Sequence, residues 1–214
     1  MKIICTTSNK YLHLIPVFTY LFQKYWGNDP VEIVGYKMPS CKLPKNYTFH
    51  SMGEQGHVSE WSTDLRRYFE SIPDQWLIWL MEDTFIKRMD RTSKAVLLSK
   101  ASIQKRVGRI DLTNDIQKRG HGVINNLVFA NDASLYRLST QPSVWCKEFL
   151  LQYLTPGMDP WTFEKQNPIN DGWEIVGLNT PPVKHNEGVR KLNPHELDLN
   201  GFSDEDVKHI QTLL

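Results

Sequence analysis

Residues 76–85 read Trp-Leu-Ile-Trp-Leu-Met-Glu-Asp-Thr-Phe, six apolar residues opened by Pro73-Asp74 and closed by two acids. The run is too short for a free-standing buried helix and too uniform for a strand with one wet face. It therefore predicts a strand buried on both faces in the middle of a mainly parallel sheet, and with it an α/β fold. Glu82 and Asp83 then fall at the strand's carboxyl end, where open α/β sheets collect ligands, so the pair is a candidate for meeting a metal or a substrate. Glu82-Asp83-Thr84 also suits a plainer role, the end of a strand and the cap of the next segment.

The residues before this strand supply a compatible frame. Ile3 to Thr6 is a short β-branched run, and the polar Thr6-Thr7-Ser8-Asn9 after it either offers hydroxyls and an amide to a phosphate or ribose or caps the next helix. Leu14, Val17, Phe18, Leu21, Phe22 and Tyr25 mark one face of a helix, with Pro16 in its first turn and Gly27-Asn28 and Pro30 at its end. Val31 to Tyr36 predicts a second strand, which completes a βαβ unit and a right-handed crossover. Tyr47 to Met52 predicts a weaker third strand. Ser59 is placed to cap a helix from Glu60 to Ser71, with Trp61, Leu65, Tyr68, Phe69 and Ile72 inward. Arg66 and Arg67 lie one short connection from the acid-ended strand, where a guanidinium either meets a diphosphate or stays solvated.

After Phe85 the spacing predicts a helix from about Thr92 to Lys105 with Ala95, Leu98 and Ala101 buried. The basic stretch Lys100 to Arg109 has no interleaved aromatics and reads as a solvated face. Arg109 to Leu112, Leu127 to Ala130 and Leu135 to Ser139 predict short strands, the last two joined by a turn at Asn131-Asp132. A helix is predicted over Gln141 to Leu151, and another from the cap Asp159 through Glu164. Trp145 and Trp161 serve as core or as a platform for a sugar face. Trp173 to Gly177 and Val183 to His185 predict further strands, and Ser203 opens a terminal helix with Val207, Ile210 and Leu214 inward. No repeat or low-complexity linker divides the chain, which predicts one domain over 1–214 with antiparallel pieces appended in its second half.

The totals narrow the partners. Lysines and arginines number 25 against 24 acids, a net charge of +1, so no global field calls for nucleic acid or an anionic membrane. No apolar run reaches the eighteen or so residues of a membrane span, and Met1 to Cys5 reads as a first strand rather than a signal peptide. Three cysteines, Cys5, Cys41 and Cys146, have no Cys-x-x-Cys spacing and suggest neither a disulfide framework nor a zinc site. The expected setting is a reducing cytoplasm, with Cys5 as strand core.

The matching parts are the N-terminal strand with its long helix, Glu60-Trp61-Ser62 opening a helix before the apolar strand, and the acid pair with Phe85 behind it. To these add Pro142, Trp145, Phe149-Leu150, Leu154, Pro156-Gly157, Pro160-Trp161 and Phe163-Glu164. In these the chain resembles nucleotide-sugar glycosyltransferases of the GT-A fold, in particular a bacterial and viral branch linked to surface-polysaccharide synthesis. The resemblance covers most of the chain. It implies a donor nucleotide over residues 1–108, near Thr6, Thr7, Ser8, Tyr36, Trp61, Arg66 and Arg67, and a glycan or other hydroxyl acceptor over 109–214. It also implies an acidic metal motif for Mn2+ or Mg2+ at Glu82 and Asp83, with His185 completing the shell. This sequence has Glu82-Asp83-Thr84 where the family motif is usually written with two aspartates, and glutamate reaches farther.

Sugar transfer from a nucleoside diphosphate, UDP by default, leaves negative charge on the diphosphate. A divalent ion on Asp83, or Arg66 or Arg67, would stabilise that charge. If the anomeric centre inverts, a carboxylate must take the acceptor's proton, and Glu164 is the candidate, though an acid in the first turns of a helix also gains from the helix dipole alone. A sugar nucleotidyltransferase is the alternative from a nearby class. It usually draws on a glycine-rich phosphate loop, and here no glycine stands between Thr6 and Gly27. A nucleotide- or glycan-binding module without catalysis is the third reading.

Overall fold

The structure is a computed structural model that describes residues 1–104, 106–118, 121–124, 127–130, 136–166, 171–190 and 193–214. Its elements begin β1 (Lys2–Thr6), α1 (Ile15–Leu21), β2 (Val31–Gly35), β3 (Tyr47–Ser51), α2 (Trp61–Ser71), β4 (Trp76–Met81), β5 (Thr84–Met89) and α3 (Arg91–Ala101). There follow β6 (Val107–Asp111), α4 (Asp115–Lys118), β7 (His121–Ile124), β8 (Leu127–Ala130), β9 (Ser143–Cys146), α5 (Lys147–Tyr153) and α6 (Pro160–Lys165). The chain closes with β10 (Glu174–Leu178), β11 (Val183–Glu187), β12 (Val189–Arg190), β13 (Asn193–Leu197) and α7 (Asp204–Leu213). This is a mixed α/β architecture, and its contacts group the residues into two compact units interleaved along the chain.

One unit comprises Ile3–Gln55, Leu80–Met89 and Val183–Leu214. In it β1 pairs in parallel with β2, and β2 with β3, as the βαβ pattern predicts. Leu14, Val17, Phe18, Leu21 and Phe22 are buried as the spacing predicts, whereas Tyr25 is only half-buried. The helix does not stop at Leu21 but widens into a π turn over Phe22–Trp26, where Gly27 N–H reaches the carbonyl of Phe22 at 3.0 Å. Gly27 has φ of 119°, which an L side chain rarely adopts and which ends the turn. β5 pairs with β11 in a small antiparallel sheet of its own. That strand was not anticipated, since Glu82-Asp83-Thr84 leads into it and not into a helix.

Leu14, Val17, Leu21, Phe85 and Ile210 share one core cluster of this unit. α7 is capped by Ser203, whose Oγ accepts from the N–H of Asp206 at 3.1 Å. Ile210 is buried as expected, whereas Leu214 is 59% exposed because it lies past the last helical turn. The inward position is taken instead by Asp206, discussed below.

The other unit comprises Met1–Lys2, Gly56–Trp79 and Asp90–Pro182. Its strands follow the order β4-β9-β6-β10-β8-β7. β9 runs antiparallel to both β4 and β6, so these two point the same way, and β10 is parallel to β6. β8 is antiparallel to β10 and to β7. Here the helix expected from Gln141 is corrected: residues 143–146 form a strand and the helix starts only at Lys147. Val144 faces Ile78 on one side and Ile110 on the other, and Trp145 likewise faces Leu77 and Arg109. Two complete ladders outweigh a local helical pattern.

An aromatic cluster forms the core of this unit. Trp79 is fully buried, with ring centroids of Trp61 at 6.1 Å, Phe69 at 5.4 Å, Trp145 at 5.8 Å and Phe163 at 6.2 Å. α2 turns Leu65, Tyr68 and Phe69 inward as its spacing predicts. α3 is shorter than expected and is capped by Asp90, which accepts from Ser93 N–H. It buries Leu97 and Ala101 and leaves Ala95 exposed. Tyr136–Leu138 form a turn, not a strand, while Asn131, Asp132 and Leu135 lie outside the described residues.

Candidate functional site

The carboxyl ends of β1 and β4 are neighbours. The N–H of Glu82 donates to the carbonyl of Thr6 at 3.2 Å, and Thr6 Oγ1 lies 3.1 Å from Met81 Sδ. On the other side of β1, Thr7 N–H donates to Val34 O of β2 at 2.9 Å. The chain passes from β1 outward through β2 to β3, with β4 on the opposite side of β1. A sheet whose order reverses beside one strand opens a crevice at that strand's carboxyl end, and this is where α/β sheets hold ligands. Thr6, Thr7, Ser8, Tyr36, Glu82 and Asp83 are all drawn from these strand ends.

Close backbone approach builds the crevice. A Cβ on Gly35 would lie 2.8 Å from Thr7 Cγ2 and 3.1 Å from Thr7 O, so the glycine is what lets β2 end against the loop. Met52 N–H donates to Gly35 O at 2.7 Å, and Ser51 Oγ donates to Tyr36 O at 3.0 Å, fixing the turn after β2. Gly188 plays the same part beyond β11. Its N–H donates to Asp83 O, and a Cβ there would come within 2.6 Å of the Phe85 ring and 2.8 Å of Asp83 O. An isolated glycine at a strand end was the available sequence signal for both positions.

The two acids differ. Glu82 is 3% exposed, while Asp83 is half-buried. Glu82 Oε2 is buried without a hydrogen-bond partner. Burial, reinforced by the neighbouring Asp83 charge, pushes the Glu82 carboxyl well above the usual carboxylate range, and the nearby backbone N–H groups of Glu82 itself and of Ser8 oppose that only in part. The buried Cys5 thiol beside them is pushed up by burial and then by the same two acids, so Cys5 is core and not a nucleophile. Thr84 closes the turn, its Oγ1 accepting from Met81 N–H at 3.3 Å.

The expected three-ligand metal shell does not assemble. His185 sits opposite Ile86 in the β5–β11 pair, three residues from Asp83, about 10 Å along a strand. Among the described residues no three His, Cys, Asp or Glu side chains come together to hold a metal ion. The Glu82 carboxyl is buried, and Asp83 is the more exposed carboxylate of the pair. Hard divalent ions are nonetheless often held by one or two carboxylates together with substrate phosphates.

The remaining candidates lie in the other unit. Trp61 packs in the aromatic cluster. Arg66 donates through Nη1 to Leu151 O at 2.6 Å and Leu154 O at 3.2 Å and pairs with Glu70 at 2.8 Å, so its guanidinium caps the end of α5. Arg67 is 69% exposed and pairs with Asp64 at 3.2 Å. Glu164, in α6, receives both the N–H and the hydroxyl of Thr140 on Oε1, each at 2.6 Å. Trp145 is core, and Trp161 is 46% exposed.

No family model and no curated protein sequence matches the chain. Among solved structures it is similar to the galactosyltransferase LgtC in complex with donor and acceptor sugar analogues, at 8% identity and TM-score 0.43, over 71% of this chain and 60% of that one. It is similar to S. aureus TarS residues 1–349 at 14% identity and TM-score 0.47, over 86% and 59%. A putative glucose-1-phosphate thymidylyltransferase from Bacillus anthracis gives 13% identity and TM-score 0.49, over 100% and 94%. The chain spans less than two thirds of LgtC and of TarS 1–349. Likenesses this distant bear on neither substrate nor reaction.

Proposed function

We propose that the protein is a glycosyltransferase that takes its sugar from a nucleoside diphosphate donor and passes it to a glycan or other hydroxyl acceptor. The observation that carries this reading is the meeting of the Thr6–Ser8 loop with Glu82-Asp83 at the reversal of strand order. The sequence resemblance to GT-A enzymes of surface-polysaccharide synthesis supports it, as does the half-buried carboxylate of Asp83 on the rim of that crevice. A divalent ion, where one is used, would have Asp83 and the diphosphate oxygens as ligands. Where transfer inverts the anomeric centre, Glu164 is the carboxylate we assign as base.

The test is calorimetric binding of UDP, GDP and dTDP, each with and without manganese, on the parent protein and on Asp83→Asn. Metal-dependent binding of one nucleotide, lost in the variant, is the expected result and directs a screen of matching sugar donors. Binding of none of them by a folded sample overturns the reading. Release of pyrophosphate from a nucleoside triphosphate and a sugar phosphate would assign nucleotidyl transfer instead.

A further inference from the structure

The short helix α6 is pinned at both ends and through its core face. Asp159 caps it, accepting from Thr162 N–H at 2.7 Å, and Phe163 is fully buried with ring centroids of Trp61 at 5.9 Å and of Trp79 and Trp145 at 6.2 Å. Just before the helix, Met158 N–H donates to Ser62 Oγ at 2.8 Å and Met158 O accepts from Ser62 N–H at 3.2 Å. Just after it, Gln166 Nε2 donates to Tyr153 O at 3.0 Å. The largest side chain of the helix takes no part in this: Trp161 is 46% exposed, and among the described residues its indole N–H makes no hydrogen bond and its ring no aromatic pair. A lone exposed apolar side chain is ordinary, and what sets Trp161 apart is its neighbour. Glu164 stands three residues on, a spacing at which side chains of a helix are adjacent. Its Oε1 is taken up by Thr140, whereas among the described residues its Oε2 accepts no hydrogen bond. A rigidly mounted apolar plate therefore adjoins a carboxylate with one oxygen clamped and the other open to a hydroxyl.

We propose that Trp161 is an acceptor-binding residue, its indole stacking on the apolar face of a hexopyranose so that a ring hydroxyl meets Glu164 Oε2. The proposal rests on the reading of the protein as a glycosyltransferase with Glu164 as its base. A pyranose ring carries axial C–H groups on its faces and hydroxyls at its rim. Laid on an aromatic plate, it buries the first and offers the second to the side chains around the plate. Because α6 is already fixed, little ordering opposes the contact. Stacking needs an aromatic face and not the indole N–H, so phenylalanine keeps most of it and alanine removes it.

The measurement is the indole N–H signal of Trp161 in NMR spectra of isotopically labelled protein, assigned by its loss in Trp161→Phe. Methyl β-glycosides of glucose, galactose and N-acetylglucosamine are titrated in, alone and again with UDP and manganese. At least one glycoside is expected to move the signal saturably at millimolar concentration. By saturation transfer to that glycoside, Trp161→Phe is expected to bind within about threefold of the parent and Trp161→Ala about five- to tenfold more weakly. Both variants should melt within about a degree or two of the parent, since the ring is exposed. A Trp161 signal that no glycoside moves, equal binding by the parent and Trp161→Ala, or a signal that follows protein concentration instead overturns the proposal. If a glycoside binds at Trp161 and no nucleotide binds, the glycosyltransferase reading fails while the sugar platform stands. If nucleotide binds and no glycoside moves the signal, the platform fails and that reading stands.

Discussion

Thr140 directs both of its donors, backbone N–H and Oγ1, at a single oxygen of Glu164, each at 2.6 Å. The carboxylate is thereby held in one orientation on α6. Glu164→Gln retains an oxygen that can accept both bonds, so its melting temperature is expected to stay within a degree or two of the parent, an effect below about 0.5 kcal/mol. Turnover is expected to fall by about 10²-fold or more if Glu164 takes the acceptor's proton. Unchanged turnover would remove the base assignment and leave Glu164 as an anchor for Thr140.

Gly188 sets the position of Asp83. Its added Cβ would meet the buried Phe85 ring and the Asp83 carbonyl, neither of which is the far end of a flexible side chain. Gly188→Ala is expected to cost about 1–3 kcal/mol and to weaken nucleotide binding by moving Asp83. Thermal melts and calorimetry on one sample check both. Full stability with normal binding would show that the turn adapts.

Arg66 gives the opposite expectation. With its guanidinium on two carbonyls at the end of α5 and on Glu70, Arg66→Ala is expected to destabilise by about 1–2 kcal/mol. Nucleotide affinity should not change. A large affinity loss at unchanged stability would restore the diphosphate role expected from sequence.

Asp206 is fully buried on α7, where Tyr20 and Tyr25 donate at 2.7 Å and Lys24 at 2.8 Å, with Ser203 Oγ also at 2.7 Å. Burial alone would raise this carboxyl, but the hydrogen bonds, led by that of Lys24, hold it well below the usual carboxylate range. A carboxyl depressed in the folded state contributes stability that is present above its unfolded value, near pH 4, and lost as pH falls through the folded value. The parent should therefore lose stability between pH 4 and pH 2 more steeply than Asp206→Asn. At pH 7 the asparagine variant should be about 2–3 kcal/mol less stable, since the donors around it lose a charged acceptor. Parallel acid titrations of the two melting temperatures would sink this account.

Much was legible from local pattern. The continuous apolar run of β4, the βαβ spacing of β1, α1 and β2, and the caps Asp159 and Ser203 each follow from forces acting within a few residues. Asp159 accepts from Thr162 N–H at 2.7 Å, as its place before Pro160 predicts. The acid pair also fell where strand-end chemistry puts it, at the carboxyl end of β4.

What local pattern could not decide was set by pairing and burial between distant segments. Residues 143–146 became a strand because β4 and β6 each offered them a ladder, and β5 exists because β11, about a hundred residues later, pairs with it. Arg66 was drawn to α5 by carbonyls that no sequence window contains. The burial of Glu82 is the clearest case. Side-chain type and spacing put two acids at one strand end, but only packing in the folded chain buried the first and left the second half-buried.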